Sequence, residues 1–116
     1  MTDGTLMRAM LFDFYGELLT DKQREYFDLH YNEDLSLSEI ADEAGISRQG
    51  VWDIIRRAED AMADMEEKTG LIRRFTEQAE IVAEIEDELS ALRESSDETA
   101  AQVIDDVIGK LEGLKG

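Results

Sequence analysis

A chain of 116 residues with no cysteine, no proline and a net charge of −17 excludes several classes at once. Without cysteine there is no disulfide, thiolate nucleophile or cysteine-based metal site, and without a long apolar run no segment reads as a membrane span. The lack of proline lets helices run anywhere, and polar helix formers without β-branched runs point to an all-α fold. The opening Met1–Phe12 has neither a basic n-region nor a long apolar core, so no signal peptide is expected and the protein reads as cytoplasmic.

Leu6–Leu19 forms the first expected helix. Met7, Met10, Leu11, Phe14 and Leu18 recur at helical spacing and are expected to form its core face, with Gly16 ending or loosening it. Thr20 then caps a second helix, with Gln23 at N3 completing a capping box. Gln23, Tyr26, Phe27 and His30 share a face there, and Asn32 is expected at a left-handed C-cap. His30 is the only histidine. As a base or metal ligand it lacks a partner of its own kind, so it reads as a core-edge or surface imidazole.

Leu35–Arg57 is the stretch the chain is organised around. Ser36 at the N-cap and Glu39 at N3 form another capping box. Ile40, Ala41 and Ala44 make an apolar stripe, and Gly45 ends the helix because the turn needs a left-handed residue. Ile46 is expected to plug the corner, and Ser47 caps the next helix. On that helix Val51, Ile54 and Ile55 point inward, while Arg48, Gln49, Trp52, Asp53 and Arg56 point out. A small residue, Ala41, falls where two steeply crossed helices need close backbones. The pattern is a helix-turn-helix, whose second helix lies in the DNA major groove. An ordinary helical hairpin is the plainer alternative.

The apolar face continues through Ala58, Ala61, Met62 and Met65 to about Lys68, and Gly70 offers the stop, which makes a helix of ~33 Å. Beyond it Leu71, Phe75, Gln78, Val82, Ile85, Leu89 and Leu92 follow a heptad seam, widened by Ile72, Ala79 and Ile81. Ser95 with Glu98 reads as a capping box opening a last helix. Ala100, Ile104, Val107, Leu111 and Leu114 repeat the seam there, with Val103 and Ile108 beside them. These seams could close as a hairpin on the long helix or pair two protomers. The homodimer is favoured, because two seams exceed what one small domain can cover. Glu84, Asp87 and Glu88 sit at i, i+3 and i+4 but read as a solvated face rather than a metal site. The expected organisation is a four-helix, helix-turn-helix domain with a long last helix over residues 1–69, and a helical hairpin or dimerisation extension over 70–116.

FYGELLT (Phe14–Thr20), Lys22 with Gln23, SLSEIA (Ser36–Ala41) and SRQ (Ser47–Gln49), followed by Val51 and Asp53, together resemble the YlxM family over residues 6–68. Those are small bacterial proteins encoded beside signal recognition particle GTPase genes and similar in fold to the promoter-reading fourth region of sigma factors. The resemblance implies a sigma region-four-like helix-turn-helix regulator linked to the signal recognition particle pathway. Gly50 departs from the family's usual Ala, at about 1 kcal/mol of helix propensity, and the family's basic residues are thinned here.

Charge sets the terms for binding. Residues 1–60 hold 6 basic and 14 acidic side chains, and residues 61–116 hold 6 and 15. Only Ser47–Arg57 reverses the sign, with Arg48, Arg56 and Arg57 against Asp53. Duplex binding is therefore expected to be weak, salt-sensitive and confined to that face. Ser47 would touch phosphate, Arg48 and Gln49 base edges, and Arg56 and Arg57 phosphates; Trp52 would meet a sugar or thymine methyl or else pack against the first helix of the motif, and Asp53 would accept from cytosine or simply repel phosphate. The acidity also supports a second reading, an adaptor docking the signal recognition particle's protein–RNA core without sequence-specific DNA binding. No phosphate-cradling loop, nucleophile elbow or paired base appears, so neither enzymatic activity nor a cofactor is expected.

Overall fold

The computed structural model describes residues 4–114, and among them only helices form. They are α1 (Gly4–Tyr15), α2 (Asp21–Tyr31), α3 (Leu37–Ala44), α4 (Arg48–Thr69), α5 (Leu71–Glu94) and α6 (Glu98–Leu114), with a single 3-10 turn at Gly16–Leu18. The chain divides into two compact units, Met1–Ile72 and Arg73–Gly116.

The first unit is built on α4. Val51, Ile55, Ala58 and Met62 recur at i, i+4, i+7 and i+11, and all four are 0% exposed. Helices α1, α2 and α3 each pack on α4, bringing Leu11, Tyr15, Phe27, Ile40 and Ala41 into one cluster. The Phe12 ring stacks on Phe27 at 5.0 Å between centroids, and Phe27 meets Tyr31 at 4.8 Å. Burial of such side chains contributes roughly 1.5–3 kcal/mol each, which outweighs the weak propensities of these short helices.

The caps fall where their chemistry puts them. Thr20 and Gln23 exchange hydrogen bonds of 3.2 and 3.1 Å, and Ser36 and Glu39 do so at 3.1 and 3.0 Å. Gly70 ends α4 in the left-handed region, at φ 63°. His30 is half-buried and its Nδ1 lies 2.8 Å from the Leu35 carbonyl oxygen, so the imidazole fastens the loop leading to α3.

Several expectations are corrected. Of the expected first face, Leu11 is buried and Met10 packs against the core, but Met7, Phe14 and Leu18 face outward, and Tyr15 and Leu19 are buried in their place. The turn at Gly16 permits this, since a Cβ there would meet the Phe12 ring at 3.1 Å. Asn32 is right-handed, its amide donating to Asp28 Oδ1 at 2.7 Å, and the left-handed residue of this loop is Asp34, at φ 58°. The cap of α6 is Asp97, which accepts from the Ala100 N–H at 2.8 Å. Ser95 and Ser96 donate their hydroxyls back to the Leu92 carbonyl and so close α5. Ile72 joins the core of the first unit rather than widening the seam of α5.

Polar links fix α1 across the unit. The Arg8 guanidinium pairs with Glu59 of α4 and lies over the Tyr31 ring, 4.2 Å from its centroid. At the other end the buried Tyr15 hydroxyl donates to Glu66 Oε1 at 2.6 Å, and the same oxygen accepts from the Ile72 N–H at 2.9 Å. One carboxylate thus holds the end of α1, the last turn of α4 and the first turn of α5.

Burial, with the Glu66 carboxylate beside it, pushes the Tyr15 hydroxyl above its usual 10.0. A raised folded-state value contributes stability that is complete below the unfolded value and lost as pH rises through the folded one. Urea midpoints of the wild type should therefore fall faster above pH about 10 than those of Tyr15→Phe. Parallel midpoints for the two proteins would show that Tyr15 does not carry this linkage.

Candidate nucleic-acid interface

Three backbone devices set the angle between α3 and α4. Gly45 takes φ 71° and ψ 28°, and its N–H reaches the Ala41 carbonyl at 2.9 Å. The Ile46 N–H returns to the same carbonyl at 3.2 Å. Ser47 then turns the chain into α4, its hydroxyl accepting from the Gly50 N–H at 2.9 Å. The Ile46 side chain does not plug the corner: it is 41% exposed, and Ala44 is exposed as well. The crossing is closed by Ile40 and Ala41 against Val51 and Ile55.

With Val51 and Ile55 buried, the 100° step of the helix turns Gln49, Asp53, Arg56 and Arg57 into solvent, while Arg48, at the phase of Ile55, is exposed by its place in the first turn, and Ser47 is exposed as well. Trp52 stands at the boundary. One side of its ring packs against the core cluster, and the other lines a surface depression. That depression, about 790 Å³, lies between the first turns of α3 and α4. Ser36, Leu37 and Ser38 of α3 form one wall, and Ser47, Arg48, Gln49 and Trp52 the other. The α3 wall was not among the site residues expected from the sequence. Its signal was the capping box at Ser36, which fixes where the first turn of α3 must start.

The charges are distributed unevenly. Gln49 and Asp53 are joined, Nε2 donating to Oδ1 at 2.9 Å, so the one carboxylate on this face is occupied by a neighbouring amide. Elsewhere in the first unit, Arg8 pairs with Glu59 and Lys68 with Asp64. Among the described residues, no ion pair involves Arg48, Arg56 or Arg57. One turn further along α4, Asp60 and Asp64 follow, so the positive face is short. Three exposed guanidiniums, a serine hydroxyl at a helix start and a half-exposed indole form a surface suited to phosphate and base edges.

A family model described as "Putative helix-turn-helix protein, YlxM / p13 like" matches residues 2–103. A UPF0122 protein of Thermoanaerobacter sp. (strain X514) is 41% identical over 115 residues, 98% of each chain. A second, from Caldanaerobacter subterraneus subsp. tengcongensis, is 47% identical over 87 residues, covering 75% of this chain and 74% of its own. A third, from Halalkalibacterium halodurans, is 44% identical over 106 residues, covering 84% of this chain and 97% of its own.

The corner itself is testable. A Cβ at Gly45 would meet nothing within 4 Å, so the cost of Gly45→Ala is purely conformational. It should be about 1–2 kcal/mol, and Ser47→Ala should cost about 1 kcal/mol. Urea unfolding followed by circular dichroism measures both, and a neutral Gly45→Ala would show that the turn does not depend on the left-handed residue.

Proposed function

Since the chain belongs to the UPF0122 family of YlxM / p13-like helix-turn-helix proteins, we propose that it is a cytoplasmic DNA-binding regulatory protein whose α4 enters the major groove. One observation carries the reading: in a molecule of net charge −17, three exposed arginines without ion pairs stand on this helix, Arg48 in its first turn and Arg56 and Arg57 on its outer face. Arg8, by contrast, pairs with Glu59. Arg48, at the start of the helix, is placed to reach guanine O6 and N7. Gln49 reads adenine after exchanging its bond to Asp53 for one to the base. Arg56 and Arg57, further along, hold phosphates, Ser47 offers its cap to another, and Trp52 packs on sugar or a thymine methyl. Asp53 either orients Gln49 or accepts from cytosine.

A single copy offers few cations against a large repulsion, so two copies act together, their α4 helices meeting successive half-sites. The family's genes lie beside those of the signal recognition particle GTPase, which makes that pathway the process regulated. A specific observation favours a second reading, an acidic adaptor that docks the particle's basic protein–RNA core. It is the surplus of carboxylates outside the α4 face, which steers the molecule toward basic partners.

Fluorescence anisotropy with genomic duplexes at low salt tests the first reading. Arg48→Ala should cost about 1–3 kcal/mol and relax specificity at one base pair. Arg56→Ala and Arg57→Ala should weaken all sequences alike and lower the slope of log affinity against log salt by about one per protomer each. Binding unchanged by Arg48→Ala removes the groove assignment. Capture of the GTPase that survives loss of both Arg48 and Arg56 favours the adaptor.

A further inference from the structure

Within the second unit, α5 and α6 run antiparallel through the turn at Ser95–Asp97. Arg93 clamps them, donating to both oxygens of Asp105 at 2.7 and 3.0 Å. The sides they turn toward one another hold little. Among the described residues, only Ala101 and Ile104 are apolar and buried there, with Ile108 and Leu111 on α6 and Val82 and Leu89 on α5 half-buried. A layer of two helices with so thin a core is short of apolar burial for its length.

Each helix also carries a second apolar stripe, and the two have the same spacing. Ile81, Ile85 and Leu92 sit at i, i+4 and i+11 on α5, and Val103, Val107 and Leu114 sit at i, i+4 and i+11 on α6. All six are exposed: Leu114 at 71%, Val103 at 60%, and Ile81 and Leu92 at 55% each. The stripes lie on the same side of the hairpin, because Ile81 and Leu114 line one cleft of about 270 Å³, with Val82 at its base. We propose that this face pairs with the same face of a second copy of the chain, closing a four-helix layer around a two-fold axis. The proposal deepens the two-copy arrangement given above by naming its surface.

Two arguments select a second copy over another partner. The first is size. Six side chains at these exposures leave on the order of 500 Å² open per copy, so a two-fold contact buries about 1,000 Å² in all, the scale at which specific interfaces begin. The second is charge. Helical phase puts Glu80, Glu84 and Asp87 on the side of α5 turned away from both of its stripes. On α6, Asp105 and Glu112 fall at i+4 and i+11 from the buried Ala101 and so flank the inner stripe, where Asp105 meets Arg93. The outward apolar face is bordered by Glu77, Gln78 and Glu88 on α5 and by the paired Asp106 and Lys110 on α6. Its centre carries no charge and its rim carries both signs, the apolar core and polar rim of a protein–protein contact, so a second copy can seat on it while leaving the remaining carboxylates in water.

Sedimentation equilibrium of the full chain tests the surface. The wild type should run at twice the 13.2 kDa of one chain. Ile85→Glu with Val107→Glu should reduce it to one chain with unchanged helicity, because both positions are exposed. Ile81→Gln with Leu114→Gln should weaken pairing at least tenfold without adding charge. Because like net charges meet, raising salt from about 0.05 to about 0.5 M should tighten the dimer. A wild type that stays at one chain up to about 100 µM, pairing that persists in both double variants, or pairing that salt weakens would each overturn the proposal. A dimer of the expected mass that binds no duplex would leave this surface standing and remove only the regulator reading.

Discussion

The buried row Val51, Ile55, Ala58 and Met62 is the constraint on which the first unit depends. It is the one stripe touched by all three of the helices before it, and its four side chains have no exposed surface. Fixing that row fixes the rotation of α4 about its own axis, because a helix has a single rotational freedom once one face is committed. The outward direction of Gln49, Asp53, Arg56 and Arg57 then follows without further interactions, and Arg48 is exposed by its place in the first turn. Stability and recognition in this unit are two sides of one helix, and a slip of one residue in its packing would turn the arginines into the core.

Electrostatics explain why so acidic a chain keeps a positive face at all. In the first unit, Arg8 and Lys68 are satisfied by Glu59 and Asp64, while α4 presents Arg48, Arg56 and Arg57 before Asp60 changes the sign. The single carboxylate within the face, Asp53, accepts from Gln49 and so competes with no guanidinium. An exposed arginine next to a carboxylate gains less than about 1 kcal/mol from pairing, so leaving three unpaired costs folding little. Their long-range effect is larger, since they set the sign of the potential that an approaching phosphate meets.

Much of this was legible from spacing and caps. Thr20, Ser36 and Ser47 mark helix starts by local chemistry, since a side-chain oxygen three residues from an open N–H needs no tertiary partner. Gly45 and Gly70 mark ends for the same local reason. The extent of α4 was legible because its apolar period is unbroken from Val51 to Met65. The orientation of α1 was not. From α1 to Leu19 the chain bears two overlapping stripes, Met7–Leu11–Phe14–Leu18 and Leu11–Tyr15–Leu19, and period alone does not choose between their outer members. The aromatic neighbours on α2 and the Tyr15 bond to Glu66 decide between them, and both are contacts across long stretches of chain. The α6 cap was missed for a subtler reason: three candidate caps stand in a row, and Ser95 and Ser96 are already used by the end of α5. The α3 wall of the depression was missed because two helix starts meet there only after the turn at Gly45 has set their angle.

The same ambiguity of double stripes returns in α5 and α6, with a different resolution. In α1 the second stripe is a few exposed residues on one helix. In the hairpin it occurs on both helices, in one spacing and on one side, with charged residues along its edges rather than within it. A random scatter of exposed aliphatic residues is normal for a soluble surface and needs no explanation. Matching stripes on two successive helices are not scatter, because each must keep its phase over three turns while more than a third of the chain is charged. An apolar face held in phase against such a composition carries a standing cost in solubility, and that cost is offset only where the face is covered.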